Sequence, residues 1–225
     1  MHIEPGVVDG AKIILSYATA AGALGLTAKL AADSIRNDGA GALVLRSVVT
    51  TALVFCFFEV LPHHPAGVSE VHLILGSTLL LLFGAGAAAV SLSAGLLLQG
   101  LFFAPFDLPQ YGMNVTTLLV PLWATSLLAA RIIPPRTAYV ELTYWQTLAL
   151  STTYQGGIVA WVAFWALYGH GFSVENLAAV GSFGAAYMSV ILLEPLIDLG
   201  VLAGAKALDR YSRGPMFNIR LHQAA

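Results

Sequence analysis

Apolar positions dominate this chain in long unbroken runs, and short polar breaks separate them. The runs cover about residues 10–32, 40–61, 113–133, 144–168 and 177–208, with one longer run from Val71 to Ala104. A helix needs about 20 apolar residues to cross the hydrocarbon of a bilayer. The Val71–Ala104 run has 34 residues, too many for one crossing, and Gly84 and Gly86 are where it should divide. The pattern therefore predicts an all-α bundle of about seven transmembrane helices. It does not alternate as the strands of a membrane barrel must. Backbone groups in lipid have to bond within the chain, which again selects helices.

The positions of the charges orient the bundle. Cytoplasmic loops carry the excess of Lys and Arg. With the N-terminus outside and seven crossings, Lys29, Arg36, Arg46, Arg131, Arg136, Lys206, Arg210, Arg213 and Arg220 all fall near the inner face or the inner C-terminus. Only Lys12 falls near the outer face. One transmembrane domain is expected over residues 1–210, with a polar cytoplasmic tail at 211–225. Within that domain, residues 1–9 form an outer N-terminal segment and residues 60–72 an outer loop rich in histidine.

Composition agrees. The 225 residues are 58% hydrophobic and 10% charged, against about 25% charged in a soluble domain. The net charge of −2 and the lack of a basic patch exclude nucleic acid as a partner. The single cysteine, Cys56, allows no disulfide framework. Small residues crowd Ala20–Gly25 and Gly84–Ala89, which lets helix backbones approach closely or dock a membrane partner. No phosphate-binding Gly-x-x-x-x-Gly-Lys-[Ser/Thr] loop is present, so ATP would have to be used by other subunits.

The outer polar groups hold the candidate chemistry. Met1 is expected to be retained with a free amine, because His2 is large. A free amine, the amide of residue 2 and the imidazole of residue 2 can chelate one ion, the metal displacing the amide proton. Three nitrogens in a plane, closed by a fourth from another histidine, favour Ni²⁺ or Cu²⁺ over tetrahedral Zn²⁺, with Co²⁺ just below Ni²⁺ in affinity. The outer loop offers His63, His64 and His72, three of the six histidines, and Glu70 lies between them. His72 opens an apolar stretch, and a histidine at membrane depth suggests a functional site. His170 and His222 read as surface residues. Ligation needs unprotonated nitrogen, so binding should weaken as pH falls through the histidine range near 6.5.

The opening Met1-His2-Ile3-x-x-Gly6 resembles the cobalt/nickel-specific membrane component of energy-coupling factor transporters, the CbiM/NikM family. In that family the opening Met-His is a metal chelator inside the membrane domain, and a loop before the third helix supplies another histidine. Pro65-Ala66-Gly67-Val68-Ser69-Glu70-Val71-His72 resembles that loop with one extra residue, and His72 stands twelve residues before Gly84. His64-Pro65 resembles a His-Pro of cobalt-type members. Gln99 and Gly112-Met113-Asn114 look like polar positions of the fourth and fifth helices. The family's usual glycine before the histidine is Val71 here.

The resemblance implies a metal site of Met1, His2 and His72, with His64 second to His72. His63, Glu70 and Asn114 stand as supporting residues or further ligands, and Asn114 could orient the N-terminal segment. It implies a multi-pass protein of a bacterial or archaeal plasma membrane that captures Ni²⁺ or Co²⁺ as cargo. It needs no cofactor and is not an enzyme. Its partners would be a transmembrane coupling protein, cytoplasmic ATPases and, further, a small accessory membrane protein.

Two other readings stay open. One is a membrane metalloenzyme with Glu70 as general base, although no His-Glu-x-x-His pattern occurs. The other is a metal-independent membrane interaction protein. Glu194 and Asp198, spaced i, i+4, share a helix face. They pair with Lys206 or Arg210, or they contact the coupling protein.

Overall fold

The computed structural model describes residues 3, 5–61, 63–134 and 137–190, and beyond them 192, 193, 196, 197, 200, 201, 203 and 204. Met1, His2, Arg136, Glu194, Asp198, Lys206, Arg210, Arg213, Arg220, His222 and the tail lie outside the described residues.

Among the described residues, seven α-helices follow one another. They are α1 (Ile13–Asp38), α2 (Ala40–Phe55), α3 (Gly76–Phe83), α4 (Ala85–Phe102), α5 (Tyr111–Ile132), α6 (Tyr144–His170) and α7 (Val174–Val190). A π-helical turn, Cys56–Val60, prolongs α2, and a small hairpin of β1 (His64–Ala66) and β2 (Ser69–Val71) links it to α3. Among the described residues, four helical stretches are long and apolar enough to cross a membrane: Gly10–Asp38, Ala40–Val60, Ala85–Phe102 and Pro105–Ile132. With 27 residues α6 has the length too, but its first half carries buried Thr147, Ser151 and Gln155.

The expected division of the Val71–Ala104 run occurs at Gly84, whose φ of 86° breaks the helix between α3 and α4. Gly86 lies inside α4 instead. A Cβ there would sit 2.3 Å from Ser34 Oγ, so its role is close packing on α1. The third helix departs from the full-length crossing expected there. The eight residues of α3 rise only about 12 Å. Residues 72–75 are non-helical and lead into it. Such backbone is tolerated at membrane depth only when protein buries it. His72, Ile74 and Leu75 are buried, as is every residue of α3. Leu75 takes the left-handed conformation, φ 54°, at the point where the chain turns into the helix.

The contacts define two ends. At the N-terminal end, Tyr17 Oη donates to Pro109 O at 3.1 Å and Gln99 Nε2 donates to Glu59 Oε1 at 2.6 Å. At the opposite end, Arg46 pairs with Asp38, Arg36 reaches Asp33 at 3.3 Å and Gln146 Nε2 donates to Ile132 O at 2.8 Å. Gln146 and Thr143 also form a capping box that starts α6. Arg131, in the last turn of α5, joins this basic end, whereas Lys12 sits at the other.

Candidate metal centre

The hairpin positions the histidines. Its register pairs His64 with Val71, Pro65 with Glu70 and Ala66 with Ser69. Gly67 makes the turn with φ 62°, a conformation that favours glycine. The turn lies directly on α7, where a Cβ on Gly67 would come within 2.0 Å of Ala179 O. The hairpin is thus seated on the bundle, and its second strand delivers His72 to the interior.

His72 is 1% exposed. Its backbone N–H donates to Tyr187 Oη at 3.2 Å. Its ring is edge-on to Phe58, with centroids 5.6 Å apart, and stacks on His63 at 4.8 Å. Its Nε2 lies 3.0 Å from Glu70 Oε2. A carboxylate at that distance orients an imidazole, the usual support for a metal-binding histidine. His63 is therefore the neighbour that meets the His72 ring. His64 is exposed and sits on the hairpin opposite Val71.

The N-terminal segment joins the same place. Ile3 forms an isolated antiparallel bridge with Ser69 of β2. Its backbone N–H donates to Asn114 Oδ1 at 2.9 Å, and Ile3 itself is fully buried. Asn114, in the first turn of α5, is also buried. Met1 and His2 lie outside the described residues. Consecutive Cα atoms are about 3.8 Å apart, so the covalent chain ties His2 to a residue bound to both β2 and α5.

Among the described residues, no group of three or more His, Cys, Asp or Glu side chains is placed to hold a metal ion. His63 and Glu70 each contact His72, but the three do not complete a site by themselves. Any closed coordination set must draw on donors beyond them.

Tyr187 and Phe58, which hold His72, gave no sequence signal, because a buried aromatic in an apolar helix reads as packing. The Glu59–Gln99 pair near the same end was half visible, through Gln99.

Comparison with known proteins places nearly the whole chain. The family model described as the cobalt uptake substrate-specific transmembrane region, CbiM, matches residues 2–209. No curated protein matches. Two solved structures share the fold. One, titled a crystal structure of a transition metal transporter, is 19% identical with a TM-score of 0.64 over 94% of this chain and 95% of its own. The other, titled a truncated transition metal transporter, is 18% identical with a TM-score of 0.67 over 93% and 99%. The chain belongs to the CbiM family and is a membrane component of metal uptake.

Proposed function

We propose that this chain is the substrate-capturing subunit of an energy-coupling factor transporter, and that it binds Ni²⁺ or Co²⁺ at its outer end. The Met1 amine, the His2 amide and the His2 imidazole supply three in-plane nitrogens. His72 closes the square, with Glu70 as its orienting carboxylate. His64 is the alternative fourth donor.

The observation that supports this reading is the anchoring of Ile3 to Asn114 and to Ser69 of β2, the strand that immediately precedes His72. Planar nitrogen ligation suits Ni²⁺, and Co²⁺ follows closely in affinity. The seated hairpin and the N-terminal segment then act as the outer cover. Energy for release comes from partners: a coupling protein in the membrane and cytoplasmic ATPases, joined by a small accessory membrane protein where the assembly requires one. The N-terminus faces outward and the described basic end faces the cytoplasm, in line with the distribution of Lys and Arg. The protein resides in a plasma membrane and works as a transport subunit, not an enzyme.

The test is titration of the purified chain, with its native untagged N-terminus, with Ni²⁺ and Co²⁺. His72→Ala should lower the affinity at least about a hundredfold, as expected for loss of a ligand to a chelated ion. His64→Ala should change it less than about threefold. The reverse ranking would move the fourth ligand to His64, and equal affinity in all three would sink the site.

A further inference from the structure

Lys12 breaks the charge pattern of the chain, being the basic residue at the N-terminal end. Its surroundings explain it. The last carbonyls of an α-helix lack partners within the helix. In α6 they are taken up one by one. Asn176 Nδ2 donates to Ala166 O at 3.0 Å, and Gly171 N–H donates to Leu167 O at 2.9 Å. Lys12 Nζ donates to Tyr168 O at 3.1 Å and to Gly169 O at 3.0 Å, and it stands 5.7 Å from the centre of the Tyr168 ring. A cation at a helix C-terminus is favoured by the negative end of the helix dipole as well.

A second contact grips the same segment. A Cβ on Gly169 would lie 1.7 Å from Val7 O. The absent side chain is therefore a notch that receives the N-terminal backbone. Val7 and Val8 are buried there, and His170 Nε2 lies 3.3 Å from Gly6 O. A cavity of about 420 Å³ lined by Val7, Gly67, Val68, His170 and Asn176, among others, runs between this segment, the hairpin and α7. The segment is thus pinned at Ile3 by Asn114, at Val7 by the notch and at Lys12 by the end of α6, with open space alongside.

We propose that Lys12 is a positioning residue for metal retention: together with the Gly169 notch it clamps residues 6–12 onto the end of α6, and so steadies the segment whose Ile3 is bound to β2. The inference rests on the reading that Met1 and His2 are ligands. The clamp sets how often the segment lifts, and so how fast a bound ion escapes. It does not set the intrinsic strength of the nitrogen ligands.

The experiment uses the full chain with its native N-terminus. Ni²⁺ is bound, and its dissociation is followed after adding excess chelator. Lys12→Met keeps the stem and removes the donors, Lys12→Arg restores them, and Gly169→Ala fills the notch. Hydrogen exchange of the backbone amides of residues 3–8 is measured in the same proteins without metal. Lys12→Met, by loss of charge-assisted hydrogen bonds, and Gly169→Ala, by its clash with Val7 O, should each speed dissociation about tenfold or more and speed exchange to match. Lys12→Arg should stay within about threefold of the parent.

A purely structural cap on α6 would lower thermal stability and leave dissociation and exchange at 3–8 unchanged, which overturns the proposal. Failure of arginine to rescue would also overturn it. If the parent binds no Ni²⁺, the ligand reading fails and retention by the clamp falls with it. Exchange at 3–8 then still reports whether Lys12 holds the segment.

Discussion

Glu70 lies on β2 and His72 is the first residue after it, and Glu70 Oε2 stands 3.0 Å from the His72 ring Nε2. Glu70 is partly exposed and His72 is buried. The pair therefore joins an interior imidazole to the protein surface. Outer-shell carboxylates of this kind typically change metal affinity by about 10–100-fold when lost. Glu70→Gln should lower Ni²⁺ or Co²⁺ affinity within that range and leave the fold intact, as read by titration and circular dichroism. An unchanged affinity would mean that the contact plays no part in ligation.

Asn114 makes the second anchor. Its Oδ1 accepts the Ile3 N–H inside the protein. Asn114→Ala leaves that donor unsatisfied, at a cost of about 1–3 kcal/mol. The folded bundle can avoid the cost by letting the N-terminal segment lift away. The expected result is a metal affinity about tenfold lower or worse with a small change in Tm. A large fall in Tm with unchanged affinity would assign Asn114 to packing alone.

Gly67 tests the seating of the hairpin without touching a candidate ligand. Alanine there meets both a φ of 62° and a backbone oxygen at 2.0 Å. The turn must leave α7, and β2 must shift with it. Gly67→Ala should destabilise the protein by about 2 kcal/mol or more and weaken metal binding in parallel. Thermal unfolding and titration of one preparation check both.

Gln155 offers a prediction of opposite sign. It is fully buried in α6, and neither the oxygen nor the nitrogen of its carboxamide has a hydrogen-bond partner among the described residues. Replacing it by a leucine of similar size removes that cost. Gln155→Leu should raise stability by about 1–3 kcal/mol, seen as a higher Tm in detergent. A lower Tm would show that the carboxamide is satisfied in the protein in solution.

Much of this arrangement could be read from the sequence because it follows from local rules. Helix length and apolar runs mark the elements, and Gly84 marks a break that its backbone conformation requires. The Gly112-Met113-Asn114 motif led to Asn114, and its partner proved to be the neighbour of His2. What stayed hidden depends on contacts far apart in sequence. Nothing in Leu73–Phe83 says that the helix starts only at Gly76, since a leucine at φ 54° leaves no mark in an apolar run. Of the two adjacent histidines, the one that meets His72 is decided by the hairpin register, and this brought His63 to the ring. Lys12 stood out as an exception, but its partners lie 156 and 157 residues away.

The central claim is that the start of the chain is itself a ligand. One alanine inserted between Met1 and His2 keeps every side chain and breaks the shared chelate of amine, amide and imidazole. Titration of the untagged parent and the insertion variant with Ni²⁺ and Co²⁺ should show tight binding of one equivalent by the parent. The insertion should weaken it at least about a hundredfold. Equal affinity in the two proteins would contradict the account and confine the metal to the residues of the His63–His72 loop.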